Sequence, residues 1–178
     1  MKIRYHNRSR LPPEQEDDAT YVSFDELLAS SDVLSLNLAL NESTRHIIGA
    51  PEFQKMKDGV VIVNTARGAL IDEKALVAAL DSGKVSLRAS SVIITVVLTS
   101  IQVASAGLDV YENEPQVEPG LLNNPRVMLL PHIGTMTYET QKEMELLVLD
   151  NLRSGVEKGQ LITQVPEQKR LQNGSGHL

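Results

Sequence analysis

The chain contains no cysteine, which excludes a disulfide, a thiol nucleophile and a cysteine-based metal site. It carries no basic run and a net charge of −6, which argues against nucleic acid or an anionic membrane surface as the main partner. The apolar core of its most hydrophobic stretch, Val92 to Leu98, falls far short of the roughly 20 residues that a membrane span needs. The four histidines are scattered with no two at a ligand-like spacing, so no metal is expected. Met1 leads almost directly into a strand-like run, which leaves no room for a signal peptide and makes a cytoplasmic location the default expectation. A length of 178 residues suits one domain with a real core.

What is present is organised around Gly59 to Asp72, GVVIVNTARGALID. Four β-branched residues in a row, Val60 to Val63, are the signature of a strand buried on both faces of a parallel sheet. A helix start follows: Asp72 can cap, Leu76, Ala79 and Leu80 form an apolar stripe, and Gly83 supplies a stop. Arg67 lies in the loop between strand and helix. In an open α/β sheet, ligands bind outside the carboxyl ends of the strands, which is where this guanidinium falls.

Two later segments read the same way. Ala106 to Pro115, AGLDVYENEP, is a short strand ending in acidic residues, and Val127 to Thr135, VMLLPHIGT, is a third ending in His132. An arginine can hold a carboxylate and its neighbouring carbonyl through a planar donor fork. A histidine can pass a proton, and a carboxylate beside an imidazole favours its protonated form. Anchor, acid and tuning partner are the parts needed to reduce a 2-oxo acid, apart from the hydride.

The segments NTARGALIDEKALVAAL, GLDVYENEP and PHIG resemble, in order, those of the D-isomer-specific 2-hydroxyacid dehydrogenase family, over about Met1 to Gln168. The resemblance implies an α/β fold with part of a Rossmann-type doubly wound parallel sheet. By motif it makes Arg67 the substrate-carboxylate arginine, His132 the acid/base and Glu114 its carboxylate partner. It places Asp109 at the nicotinamide end of the cofactor, Thr65 and Ala66 against the ribose, and the Leu38 to Thr44 loop, with Gly134 of PHIG, along the cofactor site. The whole stretch is most similar to the glyoxylate/hydroxypyruvate reductase branch, which implies a small 2-oxo or 2-hydroxy acid substrate and a homodimer. Phosphoglycerate or other 2-hydroxyacid dehydrogenases are alternatives. So are a corepressor-like dinucleotide-binding interaction module and a truncated product without activity.

Met1 to His6 alternates as a strand does and leads into Asn7 to Arg10. In dinucleotide folds, an acid after the second strand binds the NAD ribose, while arginine there accommodates the NADP phosphate. NRSR offers no acid, so Arg8, Ser9 and Arg10 point to NADPH as the preferred cofactor, with NAD as the alternative. Leu11 to Asp18 reads as a Pro-rich acidic loop, and Ala19 to Val22 as a short edge strand. Ser23 with Glu26 forms a capping box for a helix through about Ser30. Asp32 to Leu38 is a strand, Asn41 to Thr44 a turn and Pro51 to Met56 a short helix. His46 has no acidic neighbour at helical spacing and reads as structural. Pro115 to Asn124 is a polar loop. Tyr138 to about Lys158 is a long helix with Met144, Leu147, Val148, Leu152 and Val156 on one face, ended by Gly159. Glu167 to Leu178 reads as a disordered tail.

The expected organisation is a partial dinucleotide-binding domain over 1–159, with an atypical insertion at 86–102, then a C-terminal segment over 160–178. The insertion interrupts the family pattern, in which the helix after NTARG reaches the GLD strand within a few residues. Val85 to Gln102 is either an extra strand or a translated intron, since its ends admit splice-signal codons and its removal joins Lys84 to Val103 as the family-like GKVASAGLDV. We favour the intron. No G-x-G-x-x-G occurs anywhere, and the family carries one between its first strand and first helix, immediately before the strand that opens this chain. The family's substrate domain is missing as well. The first strand is the centre of the sheet order 3-2-1-4-5-6, so its loss should leave two strands without their common neighbour. The pyrophosphate cradle would be lost with it. Weak cofactor binding and little or no turnover are expected of these residues alone.

Overall fold

The computed structural model describes residues 1–82 and 102–165. It divides into a unit from Met1 to His132 and a second from Ile133 to Leu178. The Val85 to Gln102 insertion, apart from Gln102, lies outside the described residues, as do the Gly83 stop and the tail from Glu167.

The centre of the first unit is β4, Val60–Asn64, where Val60, Ile62 and Asn64 are buried and the residues between them are half-buried. A strand packed on both faces has no solvent side, hence its unbroken β-branched sequence. It pairs in parallel with β3 (Val33–Leu36) and β5 (Val103–Leu108), and β5 pairs in parallel with β6 (Val127–Leu129), giving the order β3-β4-β5-β6. Parallel neighbours require crossover connections. The short helix α3 (Ala50–Lys55) lies between β3 and β4, and α4 (Glu73–Asp81) between β4 and β5.

Asp72 caps α4 by accepting the Ala75 backbone N–H at 3.1 Å. Leu76, Ala79 and Leu80 are all buried, as their spacing requires. Each leucine contributes about 1.5–3 kcal/mol of apolar burial. At the far end of the helix, the Leu80 carbonyl accepts from the Arg126 guanidinium at 2.6 Å, a cation placed where the helix dipole favours it.

The opening strands form a separate sheet. β1 (Arg4–Tyr5) pairs in parallel with β2 (Thr20–Tyr21), and among the described residues neither pairs with β3. This is the break expected when the central strand of the sheet is missing. Val33 on the edge strand β3 is 58% exposed and Ile3 beside β1 is 51% exposed, and among the described residues β1 and β3 each pair with a strand on one side only. Helix α2 (Phe24–Ser30) follows β2 and is capped by Ser23, whose Oγ accepts the Glu26 N–H at 3.2 Å.

Several boundaries differ from the sequence reading. The Leu11 to Asp18 loop contains a helical turn, α1 (Pro13–Glu16), because Pro13 at its first position is pre-set for helical φ. The Pro115 to Asn124 loop contains α5 (Pro119–Leu122), started the same way and anchored by the fully buried Leu121. Strand β5 runs from Val103 to Leu108, so Asp109 to Pro115 is loop, and β6 stops at Leu129, three residues before His132. After β5 apolar character outlasts the ladder, because Val110 and Tyr111 are buried by loop packing.

In the second unit, α6 (Tyr138–Lys158) has the expected bounds. Thr137 caps it by accepting the Thr140 N–H at 3.2 Å, and Gly159 ends it in the left-handed conformation, φ 66°.

Candidate active site

The four parallel strands deliver four loops to one rim of the sheet: Leu38 to Thr44 after β3, Thr65 to Arg67 after β4, Asp109 to Glu114 after β5, and the segment through His132 after β6. The expected catalytic residues therefore arrive from three different strand ends.

Glu114 and His132 meet. Glu114 Oε2 lies 2.8 Å from His132 Nδ1, while Glu114 Oε1 accepts the Tyr111 backbone N–H at 2.9 Å. The hydrogen bond to His132 and the Tyr111 N–H hold the Glu114 carboxyl below the usual range, and the Arg67 guanidinium adds to the effect through its charge. The carboxylate is thus ionised and the imidazole Nδ1 is its partner, which leaves Nε2 as the ring nitrogen open to a ligand. His132 takes a left-handed backbone, φ 55°. That conformation is uncommon outside glycine, although histidine enters it more readily than most side chains, as His46 also does at φ 50°. A cavity of about 320 Å³ is lined by Tyr111, Glu114, Pro115, Leu130 and His132, among others. A larger one of about 450 Å³ lies along β1 and β2, away from these groups.

Arg67 is exposed and lies in extended backbone, and its Nη1 donates to the Ala66 carbonyl at 2.6 Å. Its loop is shaped by Asn64, which is 1% exposed and spans the turn: Nδ2 donates to the Arg67 carbonyl at 2.9 Å and Oδ1 accepts the Ala66 N–H at 3.1 Å. The Asn64 carbonyl in turn accepts the Asp109 N–H at 3.0 Å, tying the β4 loop to the β5 loop. Gly68 brings the two loops into contact. A Cβ there would stand 1.8 Å from the Tyr111 carbonyl carbon.

The cofactor candidates fare unevenly. Thr65 is exposed, Ala66 half-buried and Asp109 buried at the rim, while Leu38 packs partly on the core. Thr44 spends its hydroxyl on its own loop, accepting from the Asn41 N–H and donating to the Ala39 carbonyl, each at 2.8 Å. Arg10 is bound bidentately by Glu16, at 2.7 and 2.8 Å, and the Tyr5 hydroxyl donates to the same carboxylate. These hydrogen bonds take the Glu16 carboxyl down to about 2. The NRSR loop therefore has an acid after all, brought back by the α1 turn. Arg8 and Ser9 are exposed, and Arg8 makes no ion pair among the described residues. Gly134 is exposed in the second unit.

Sequence reasoning missed Asn64, Tyr111 and the acidic partner of His46. Tyr111 donates its hydroxyl to the Leu130 carbonyl at 2.7 Å, linking the Glu114 loop to the end of β6, and burial pushes that hydroxyl's pKa up. His46 Nε2 is 3.0 Å from Glu112 Oε1, and Arg45 pairs with the same carboxylate. Glu112 is 66 residues from His46, so a search at helical spacing could not find it. An asparagine ending a buried strand was the one available signal for Asn64. Among the described residues there is no cluster of three or more potential metal ligands, and no helix is long and apolar enough to cross a membrane.

Comparison with known proteins gives these loops a context. The profile described as "D-isomer specific 2-hydroxyacid dehydrogenase, NAD binding domain" matches residues 1–94. The chain is 77% identical over 171 residues to 4-methyl-2-oxopentanoate reductase A of Aspergillus oryzae, covering 96% of this chain and 46% of that protein. It is 47% identical over 163 residues to glyoxylate reductase 1 of Saccharomyces cerevisiae, covering 92% and 41%. The crystal structure of a glyoxylate reductase from Paecilomyes thermophila superposes with a TM-score of 0.82 at 75% identity, over 94% of this chain and 46% of that one. The NADPH-dependent glyoxylate/hydroxypyruvate reductase of Sinorhizobium meliloti, solved with NADP and malonate, gives 0.77 at 32%, over 93% and 46%. The chain thus spans about half the length of the relatives it matches, and it belongs to the D-isomer-specific 2-hydroxyacid dehydrogenase family.

Proposed function

We propose that this chain supplies the catalytic half of an NADPH-dependent reductase of small 2-oxo acids, with glyoxylate and hydroxypyruvate as first substrates. The observation that carries the reading is the Glu114–His132 pair at 2.8 Å on the strand-end rim, with the Arg67 charge felt at Glu114. Arg67 binds the substrate carboxylate through its donor fork. His132 donates a proton to the carbonyl oxygen as C2 is reduced, and Glu114 stabilises the imidazolium. The rim fits a nicotinamide cofactor: Asp109 is buried at the end of β5 beside the exposed Thr65 and half-buried Ala66. When bound, NADPH supplies the hydride that C2 accepts. Arg8 and Ser9 stand in the loop that would meet a 2′-phosphate, while Arg10 would have to leave Glu16 to do so.

The sequence carries no glycine-rich turn for the pyrophosphate, and the sheet is split where the central strand would lie. We infer that these 178 residues alone turn over little or nothing. A second substrate reading is a branched 2-oxo acid, favoured by the 77% identical relative named for 4-methyl-2-oxopentanoate. The test is NADPH consumption by a protein of the relatives' full length carrying this sequence, with each of the three acids, beside the 178-residue chain. Turnover of at least one acid by the long form and none by the short form is expected. An ordinary enzymatic rate from the short form, or none from the long form with any 2-oxo acid, refutes the proposal. In the long form Arg67→Lys loses the two-pronged grip, and an unchanged rate would remove that role from Arg67.

A further inference from the structure

Glu73 occupies the first turn of α4 and is 7% exposed, yet no cation pairs with it among the described residues. Its Oε1 accepts the backbone N–H of Glu112 at 2.8 Å. Burial raises its pKa, and the Glu112 N–H partly offsets that rise. A buried carboxylate is costly unless it is well hydrogen-bonded, so its position must repay that cost. The backbone group it holds opens the segment 112–118, two residues before Glu114. The same segment turns tightly, with the Gln116 N–H donating to the Asn113 carbonyl at 2.9 Å.

We propose that Glu73 is a positioning residue: by clamping the 112–118 loop to α4 it holds Glu114 against His132 and the Tyr111 N–H. This rests on the catalytic reading of the Glu114–His132 pair. The other charged groups facing the loop are Arg45 and His46, both on the Glu112 side chain, and Arg67, whose charge reaches Glu114. None of these replaces the clamp, because each acts on a side chain whereas Glu73 fixes the backbone itself.

The direction of a titration separates positioning from simple charge. Losing a negative charge near Glu114 lowers its titration midpoint or leaves it unmoved. Losing the clamp loosens Glu114 from His132 and the Tyr111 N–H, the two contacts that depress it, and so raises the midpoint. The experiment follows the Glu114 side-chain carboxyl by ¹³C NMR in the 178-residue chain, assigned through Glu114→Gln. Glu73→Gln keeps the size and one acceptor, Glu73→Ala removes both, and Asp72→Ala weakens the same helix without touching the loop. The expected result is an upward shift for Glu73→Gln, a larger one for Glu73→Ala, and none for Asp72→Ala. A Glu114 midpoint that stays or falls in Glu73→Gln, with thermal stability lost as in Asp72→Ala, overturns the proposal and leaves Glu73 a fold anchor. If Glu73→Ala fails to fold, Glu73→Gln alone decides. In the full-length protein, Glu73→Gln lowers kcat with KM held. Since the titration needs no turnover, an inactive full-length protein would refute the reductase reading without touching the clamp.

Discussion

Gly68→Ala probes how the loops after β4 and β5 are held together. An added Cβ would lie 1.8 Å from the Tyr111 carbonyl carbon, 2.2 Å from its oxygen and 2.3 Å from the Glu112 nitrogen. Carbon atoms pack at about 3.5–4.0 Å, so the loops must part by more than ~1 Å. Every atom in the clash is backbone, and no side chain can rotate out of the way. Overpacking costs about 1–3 kcal/mol, and a backbone clash of this depth belongs at the upper end. At about 2–4 °C per kcal/mol for a chain of this size, melting should fall by about 4–12 °C. Gly107→Ala is the control, because its Cβ would meet nothing within 4 Å. Thermal denaturation followed by circular dichroism, with the Glu114 carboxyl monitored by NMR, reads both consequences. A Gly68→Ala chain that melts with the wild type and keeps its Glu114 signal would refute this account of the loop packing.

Further outcomes follow from the same contacts. Asn64→Ala takes the partner from the half-buried Ala66 N–H and leaves the Arg67 carbonyl with the Leu70 N–H alone, so urea denaturation should show a loss of about 1 kcal/mol, and an unchanged midpoint would mean the Arg67 loop is held otherwise. The Glu16 carboxyl lies at about 2 in the folded chain against an ordinary 4.5. A depressed folded value means its stabilisation is complete above about pH 4.5 and is lost as pH falls toward about 2. The stability gap between wild type and Glu16→Gln should therefore close across that window, and a gap that stays constant would contradict the Arg10–Glu16 geometry. Deleting Val85 to Gln102 should preserve or raise the melting temperature. The Gln102 N–H donates to Ser82 Oγ at 3.3 Å, so the flanks already adjoin and a two-residue bridge suffices. Loss of folding on deletion would establish the segment as an integral part of the fold.

Local signals carried much of this fold into the sequence. The Val60 to Val63 run, the Asp72 cap with its Leu76, Ala79 and Leu80 stripe, and the Tyr138 to Gly159 helix all rest on nearest-neighbour chemistry, and each appears where the pattern put it. The strand ends are less exact, since Val110 and Tyr111 are apolar for loop packing and not for a ladder. Motif order alone brought Glu114 and His132 together, because their 18-residue separation has no periodicity to read. The Arg10–Glu16 and His46–Glu112 pairs were invisible for a related reason. One depends on an unforeseen helical turn at Pro13, and the other on two loops meeting across the sheet.

The most direct test of the account is His132→Asn in a protein of the relatives' full length. The substitution removes the proposed proton donor while keeping a polar side chain of smaller size at an exposed position, so folding should survive. General acid catalysis is worth about 10²–10⁴-fold, and NADPH-dependent reduction of the preferred 2-oxo acid should fall by that order, with the melting temperature little changed. A His132→Asn enzyme with the wild-type kcat would contradict the assignment of the Glu114–His132 pair as the catalytic centre.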